Sequence, residues 1–435
     1  MKARARSVTV GFVTDAPHWE SPPVAAPDPD TTPPIPLVAP RDGVPPVVAD
    51  SDTLAAVTAS FGNGSGPVAV DAERASGYRY GQRAYLVQLR RGGTGTALID
   101  PISCPDLSEV GAAIADAEWV LHAAGQDLPC LAEIGLRPRR LFDTELAGRL
   151  LGYPRVSLGV MVETVLGFSL EKGHSAVDWS TRPLPEPWLR YAALDVEVLI
   201  ELRDELQREL REAGKLDWAR EEFAAIVAAP PPPGRPEPWR RTSGLHRARG
   251  RRQLAVVRSL WETRDAMARD RDMTPGRVLA DAAIIDAALA MPRSVRDLAA
   301  LALFARVPRA SLSRWYAAVD AARGLSEAAL PLVTAPSDGP PPARLWGERE
   351  PAAAERLTAL RTVIAAIADE HHLPTENLLA PDTVRRVAWT PPDTVTSDAI
   401  EPVLRRHGAR EWQIRLTAAA ISGALDRLRT RDLGA

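Results

Sequence analysis

The run Val68-Ala69-Val70-Asp71-Ala72-Glu73 is a β-branched strand that ends in two carboxylates one residue apart. Alternate side chains of a strand share a face, so Asp71 and Glu73 stand side by side at its exit. Two like charges that close repel unless a cation lies between them, and hard oxygen ligands suit magnesium or manganese. Taken alone, the pair also describes a surface strand end with two solvated acids. Only further carboxylates at suitable places select the metal reading.

The 435 residues exceed one ordinary core, so about two to four domains are expected. A formal net charge of -3 argues against a nucleic-acid partner on average, yet the arginines crowd into one segment. The only cysteines, Cys104 and Cys130, exclude a disulfide scaffold and a multi-cysteine zinc site and fit a reducing cytosol. No apolar run approaches a membrane span, and Met1 to Val13 lacks a signal-peptide core. A cytoplasmic, monomeric protein with no membrane partner is expected.

Proline, alanine, aspartate and valine dominate residues 1–48, which read as a disordered leader. The cap-like Asp50-Ser51-Asp52 opens a helix through Leu54, Val57 and Phe61. After the acidic strand, Ala84 to Arg90 and Thr96 to Asp100 flank Arg91-Gly92-Gly93-Thr94-Gly95 as a hairpin, which with that strand begins a mixed sheet. The run Trp119 to His122 leads into Gly125-Gln126-Asp127, where Asp127 either caps a helix or presents a carboxylate at the sheet edge. Asp143 reads as a structural residue at a helix start. Asp178 to Leu184 is a loop carrying Trp179 and Arg182 near the site, and one long amphipathic helix from Pro187 to Leu206 follows. On it Tyr191 and Asp195, four residues apart, share a face, as ordinary surface residues also do.

A catalytic domain over 49–228 then gives way to a proline- and arginine-rich linker, 229–244. Arg240, Arg241, Arg247, Arg249, Arg251 and Arg252, with Trp239 as a stacking aromatic, suit an RNA backbone; a solvated linker is the alternative. Helical spacing fills 245–325, and a second proline-rich break spans 326–343. The last segment, 344–435, repeats the first at an offset of one hundred: Leu260 with Leu360, Ala268 with Ala368, Met273 with Leu373, Leu279 with Leu379.

Val70-Asp71-Ala72-Glu73, His122 to Asp127 and Tyr191-Ala192-Ala193-Leu194-Asp195, in this order, resemble the tyrosine-bearing branch of the DEDD 3′-to-5′ exonucleases, with bacterial ribonuclease D nearest. Leu141 to Thr144, Leu151-Gly152-Tyr153 and the 178–184 loop add to the likeness. The 245–325 segment resembles an HRDC domain, and 344–435 a diverged second one. The resemblance implies an α/β RNase H-like domain, a mixed sheet flanked by helices, followed by two all-α HRDC-like domains. It further implies two divalent cations, Mg²⁺ or Mn²⁺, bridged by Asp71, with Glu73 and Asp195 on one ion, Asp127 on the other and Tyr191 positioning the attacking hydroxide. The expected reaction releases 5′-mononucleotides from RNA with a free 3′ end, tRNA precursors being the family-typical substrate. A 3′-5′ DNA exonuclease and a non-catalytic RNA-binding scaffold remain as alternatives. Where relatives often have a hydroxyl and an aromatic, this chain has Ala72 and Arg74. Arg74 is expected to face solvent, with phosphate contact the alternative. His122 is expected to order the strand-to-helix turn.

Overall fold

In the computed structural model the described residues are 33–434, apart from 172, 175, 232–233, 306 and 335–338. The strands are β1 (Ile35–Leu37), β2 (Val47–Val48), β3 (Ser65–Arg74), β4 (Ala84–Gly92), β5 (Gly95–Ile99), β6 (Glu118–Leu121), β7 (Arg140–Asp143) and β8 (Phe168–Leu170). Six form a mixed sheet in the order β2-β5-β4-β3-β6-β7, and β1 pairs with β8 in a two-stranded sheet. The β4–β5 hairpin is antiparallel, as is β3–β4, whereas β3–β6, β6–β7 and β2–β5 are parallel. Val68, Ala69, Val70 and Leu89 are almost wholly buried, as central strands covered on both faces require.

Part of the expected leader is therefore ordered. β1 pairs with β8 and β2 lies at the edge of the six-stranded sheet. Two or three residues flanked by proline carry no periodic signal, and an edge strand tolerates proline because one side needs no ladder donor. The remainder of the expected leader, 1–32, lies outside the described residues.

The helices packed around the sheet are α1 (Ser51–Asn63), α2 (Ser108–Ala113), α3 (Leu128–Glu133), α4 (Thr144–Leu151), α5 (Leu158–Met161), α6 (Glu186–Glu197), α7 (Leu199–Glu212) and α8 (Leu216–Ala228). Asp50 caps α1 by accepting from the backbone N–H of Asp52 and Thr53 at 3.0 and 2.9 Å. The single helix expected from Pro187 to Leu206 is two helices, α6 and α7, parted at Val198, whose φ of -115° and ψ of 6° are not helical. Just before the break, buried Glu197 pairs with Arg90 at 3.1 Å and ties the end of α6 to β4.

The remaining helices are α9 (Arg251–Asp270), α10 (Pro275–Val278), α11 (Asp281–Ala290), α12 (Val295–Ala299), α13 (Arg309–Arg323), α14 (Trp346–Arg349), α15 (Pro351–Glu370), α16 (Thr375–Leu378), α17 (Pro381–Trp389), α18 (Ser397–Arg406) and α19 (Glu411–Gly434). The offset of one hundred holds for both ends of α9 and α15 and of α10 and α16, and for the starts of α11 and α17. Beyond those the repeat drifts.

The two repeats differ in what they pack against. Residues of α9, α11 and α13 form their own core around Trp315, Ile284 and Leu260. The last segment shares one continuous core with the sheet domain. Trp218 of α8 stacks on Trp412 of α19, ring centroids 4.9 Å apart, and Trp412 Nε1 donates to Glu222 at 3.0 Å. Lys215 Nζ donates to the carbonyls of Leu150 and His371 at 2.7 and 2.6 Å. No helix among the described residues is long and apolar enough to cross a membrane.

Candidate active site

β3 pairs with β6 only at Val68 and Ala69, so its acidic end runs on past its parallel neighbour. Across the antiparallel partner, Asp71 faces Gln88 and Glu73 faces Leu86. Residues 71 and 73 share a face as the period of two dictates, and α6 brings Asp195 to them. One carboxylate oxygen from each of Asp71, Glu73 and Asp195 lies within 4.8 Å of the others. Tyr191, one helical turn earlier on α6, lies beside Asp195 and shares its electrostatic environment. Asp71, Tyr191, Asp195 and His122 line a cleft of about 290 Å³, while Glu73 and Arg74 line a second of about 270 Å³.

Burial, then the negative charge of Asp71, Asp195 and Asp127, raises the Glu73 carboxyl to about 10. Burial likewise raises Asp71 to about 6 and lifts Asp195 well above the usual carboxylate range. Tyr191 is raised above the ordinary phenol by burial and by the neighbouring acids, and stays protonated. Among the described residues, no lysine or arginine forms an ion pair with Asp71, Glu73 or Asp195. A cluster of oxygen donors that repel one another, without a cationic side chain between them, fits a hard divalent cation.

Asp127 stands outside the 4.8 Å set. It makes no side-chain capping bond at the start of α3, so the capping reading does not describe it. Its carboxyl is raised to about 8 by burial and by Asp71, opposed by Arg74, whose Nη2 lies 3.5 Å from Asp127 Oδ1. The expectation that Arg74 faces solvent is corrected. Its guanidinium is drawn to the acids, and the side chain is only 25 % exposed.

The turn that carries Asp127 is held by Asp143. That carboxylate accepts from the backbone N–H of Ala123 and Ala124 at 3.0 and 2.8 Å, and caps α4 through Glu145 and Leu146 at 2.9 and 3.2 Å. Ala123 sits at φ 60°, a left-handed conformation that a residue with a Cβ adopts only when its surroundings hold it there. His122 Nδ1 lies 2.9 Å from Thr144 Oγ1, and burial lowers the ring to about 4, so it is a neutral element of the same turn. His174 packs edge-on against Tyr191, centroids 5.8 Å apart, a contact that sequence reasoning did not assign.

The basic run is largely occupied within the chain. Arg240 pairs with Glu237 at 2.7 Å and donates to the Leu332 carbonyl. Arg251 donates to the carbonyls of Glu327, Leu330 and Pro331, and Arg252 to those of Arg323 and Leu325. Trp239, expected to stack on bases, is 2 % exposed in the core of the first helical domain. The irregular 323–333 segment has carbonyls without ladder partners, and these guanidinium groups satisfy them. Arg247 lies 3.6 Å from Asp286, and Arg241 and Arg249 are exposed without a partner among the described residues. Arg182, near the site in sequence, binds Asp100 in bidentate fashion at 2.9 and 2.8 Å beside fully buried Trp179.

Residues 45–211 match the 3′-5′ exonuclease family, residues 253–309 the HRDC domain and residues 339–425 the 3′ to 5′ exonuclease C-terminal domain. Fold and family matches thus place the chain in the 3′-5′ exonuclease class, with an HRDC domain after the sheet domain. Ribonuclease D of Gluconacetobacter diazotrophicus is 30% identical over 333 residues, spanning 74% of this chain and 81% of that protein. Ribonuclease D of Granulibacter bethesdensis is 29% identical over 354 residues, 79% and 86% of the two chains. The chain belongs to the ribonuclease D family. A crystal structure of a protein from Bifidobacterium adolescentis superposes with a TM-score of 0.82 at 35% identity, covering 90% of this chain and all of that one. Escherichia coli RNase D, described as an exoribonuclease involved in structured RNA processing, gives 0.65 at 25% identity over 88% of this chain and 98% of its own.

Proposed function

We propose that this chain is a metal-dependent 3′-5′ exoribonuclease that trims the 3′ ends of structured RNA, tRNA precursors among them, and releases 5′-mononucleotides. The observation that carries the reading is the meeting of Asp71, Glu73 and Asp195 within 4.8 Å, from two elements far apart in sequence, with Tyr191 beside them. Asp71, Glu73 and Asp195 would hold one divalent ion, Mg²⁺ or Mn²⁺, and Asp71 with Asp127 a second. Bound ions of this kind lower the pKa of a water and neutralise charge on the departing oxygen. Tyr191 lines the same cleft as Asp71 and Asp195. Because Tyr191 keeps its proton, it acts by orienting the attacking water and does not serve as the base. Arg241 and Arg249 remain as exposed cations for sequence-independent contact with the RNA backbone. Support for RNA as the polymer comes from the ribonuclease D relatives.

The test is a gel of end-labelled RNA and matched DNA with Mg²⁺ or Mn²⁺, using the wild type and Asp71→Asn. The expected result is stepwise shortening of RNA from its 3′ end, lost by at least about a thousandfold in the variant while RNA binding persists. Equal trimming by both proteins would remove the site assignment. Preferential trimming of DNA would change the substrate.

A further inference from the structure

We propose that Arg74 is a tethered cation that holds Asp127 in the free protein and passes to a substrate phosphate on binding, so that the second divalent ion and the RNA bind cooperatively. The inference rests on the metal-dependent reading above. Among the described residues, Asp127 alone of the four acids forms an ion pair with a cationic side chain, Arg74 at 3.5 Å, which acts at longer range on Asp71 and Glu73. That distance exceeds the roughly 2.7–2.9 Å of a tight charge-assisted hydrogen bond, so the pair is loose enough to exchange. A guanidinium and a divalent ion on the same buried carboxylate repel each other, and Asp127 serves one well only when the other withdraws.

Arg74 has somewhere to go. Its side chain lines the 270 Å³ cleft next to Glu73, together with Ser76, Gly77 and Tyr78, and a quarter of it is already exposed. The guanidinium fork matches a phosphate better than a lone carboxylate oxygen at 3.5 Å. A phosphate in that cleft draws the fork off Asp127 and frees the carboxylate for the ion. By linkage the ion strengthens phosphate binding by the same factor.

The experiment counts Mn²⁺ on the full-length protein by calorimetry and electron paramagnetic resonance, with and without adenosine 5′-monophosphate, for the wild type, Arg74→Gln and Arg74→Lys. In the wild type one ion binds well and a second weakly, and the nucleotide tightens the second. In Arg74→Gln the second ion binds about tenfold tighter without nucleotide, the scale of removing one adjacent opposite charge, and the nucleotide adds little. Arg74→Lys keeps the second ion weak and loses most of the nucleotide effect. Equal second-ion affinity in the wild type and Arg74→Gln, or an equal nucleotide effect, overturns the proposal. Should Arg74→Gln fail to fold, an undiminished nucleotide effect in Arg74→Lys overturns it. No Mn²⁺ on any of the proteins removes the metal reading itself, and this inference with it.

Discussion

Glu73 is 8 % exposed among three other acids, and its carboxyl is raised to about 10, with Asp127 at about 8 and Asp71 at about 6. A carboxyl raised in the folded state favours folding when protonated. Its contribution is complete below the unfolded value of about 4 and is lost as pH rises through the folded value. The metal-free chain should therefore lose stability steadily from about pH 5 upward, and a divalent cation should restore it. Melting curves in chelator and in Mg²⁺ at pH 6 and pH 8 check this. The gap should widen with pH by at least about 3 °C, the response of a domain of this size to about 1 kcal/mol. A chelated protein as stable at pH 8 as at pH 6 would contradict it. The acids themselves were legible: a period of two put Asp71 beside Glu73, and an offset of four put Tyr191 beside Asp195. Arg74 was not, because no local pattern says which distant acid a long flexible side chain will meet.

The β7–α4 junction shows how one element serves another. Asp143 caps α4 and, with its other bonds, fixes the left-handed turn at Ala123 from which Asp127 departs. The sequence announced the cap, since an acid before a helical run is a local signal. The clasp on Ala123 and Ala124 depends on parallel pairing of β6 with β7, which has no local signature. Asp143→Ala should cost about 2 kcal/mol or more, because a lost cap is worth about 1 kcal/mol and two further buried N–H groups are orphaned. It should also lower kcat through misplacement of Asp127, with RNA binding nearly unchanged. Urea unfolding and single-turnover trimming read the two effects separately. A variant with full activity would mean the turn holds without the clasp. The basic run misled at this scale for a related reason: arginines that read as free cations answer to carbonyls some 75 residues away.

At the scale of the molecule, three units are expected from the proline-rich breaks, yet the last helical segment and the sheet domain share a core. The last helical segment is continuous with the sheet domain through Trp218, Trp412 and the bond from Lys215 to the His371 carbonyl. The first helical domain keeps its own core and meets the sheet domain through the loop after β3. There Thr274 N donates to the Tyr78 carbonyl at 3.0 Å, Tyr80 bonds Asp265 at 2.9 Å, and Arg277 lies 4.2 Å over the Tyr78 ring. The repeat at one hundred residues reported shared helix spacing faithfully and was silent on packing partners, because the same apolar stripe can face either core. Trp412→Ala should destabilise by about 3–5 kcal/mol, the usual range for a buried tryptophan. In hydrogen exchange the loss of protection should reach α4 and α8 as well as α19, and leave α9 and α13 as they were. Loss confined to residues 346–434 would mean the two parts fold independently.

Gly152 ends α4 at φ +86°, and a Cβ built there would meet the His372 carbonyl oxygen at 2.5 Å. The joint between nuclease and tail accordingly has no clearance for a single added carbon. A methyl at this spot must either wedge the tail outward or dislodge the helix that follows the Asp143 clasp.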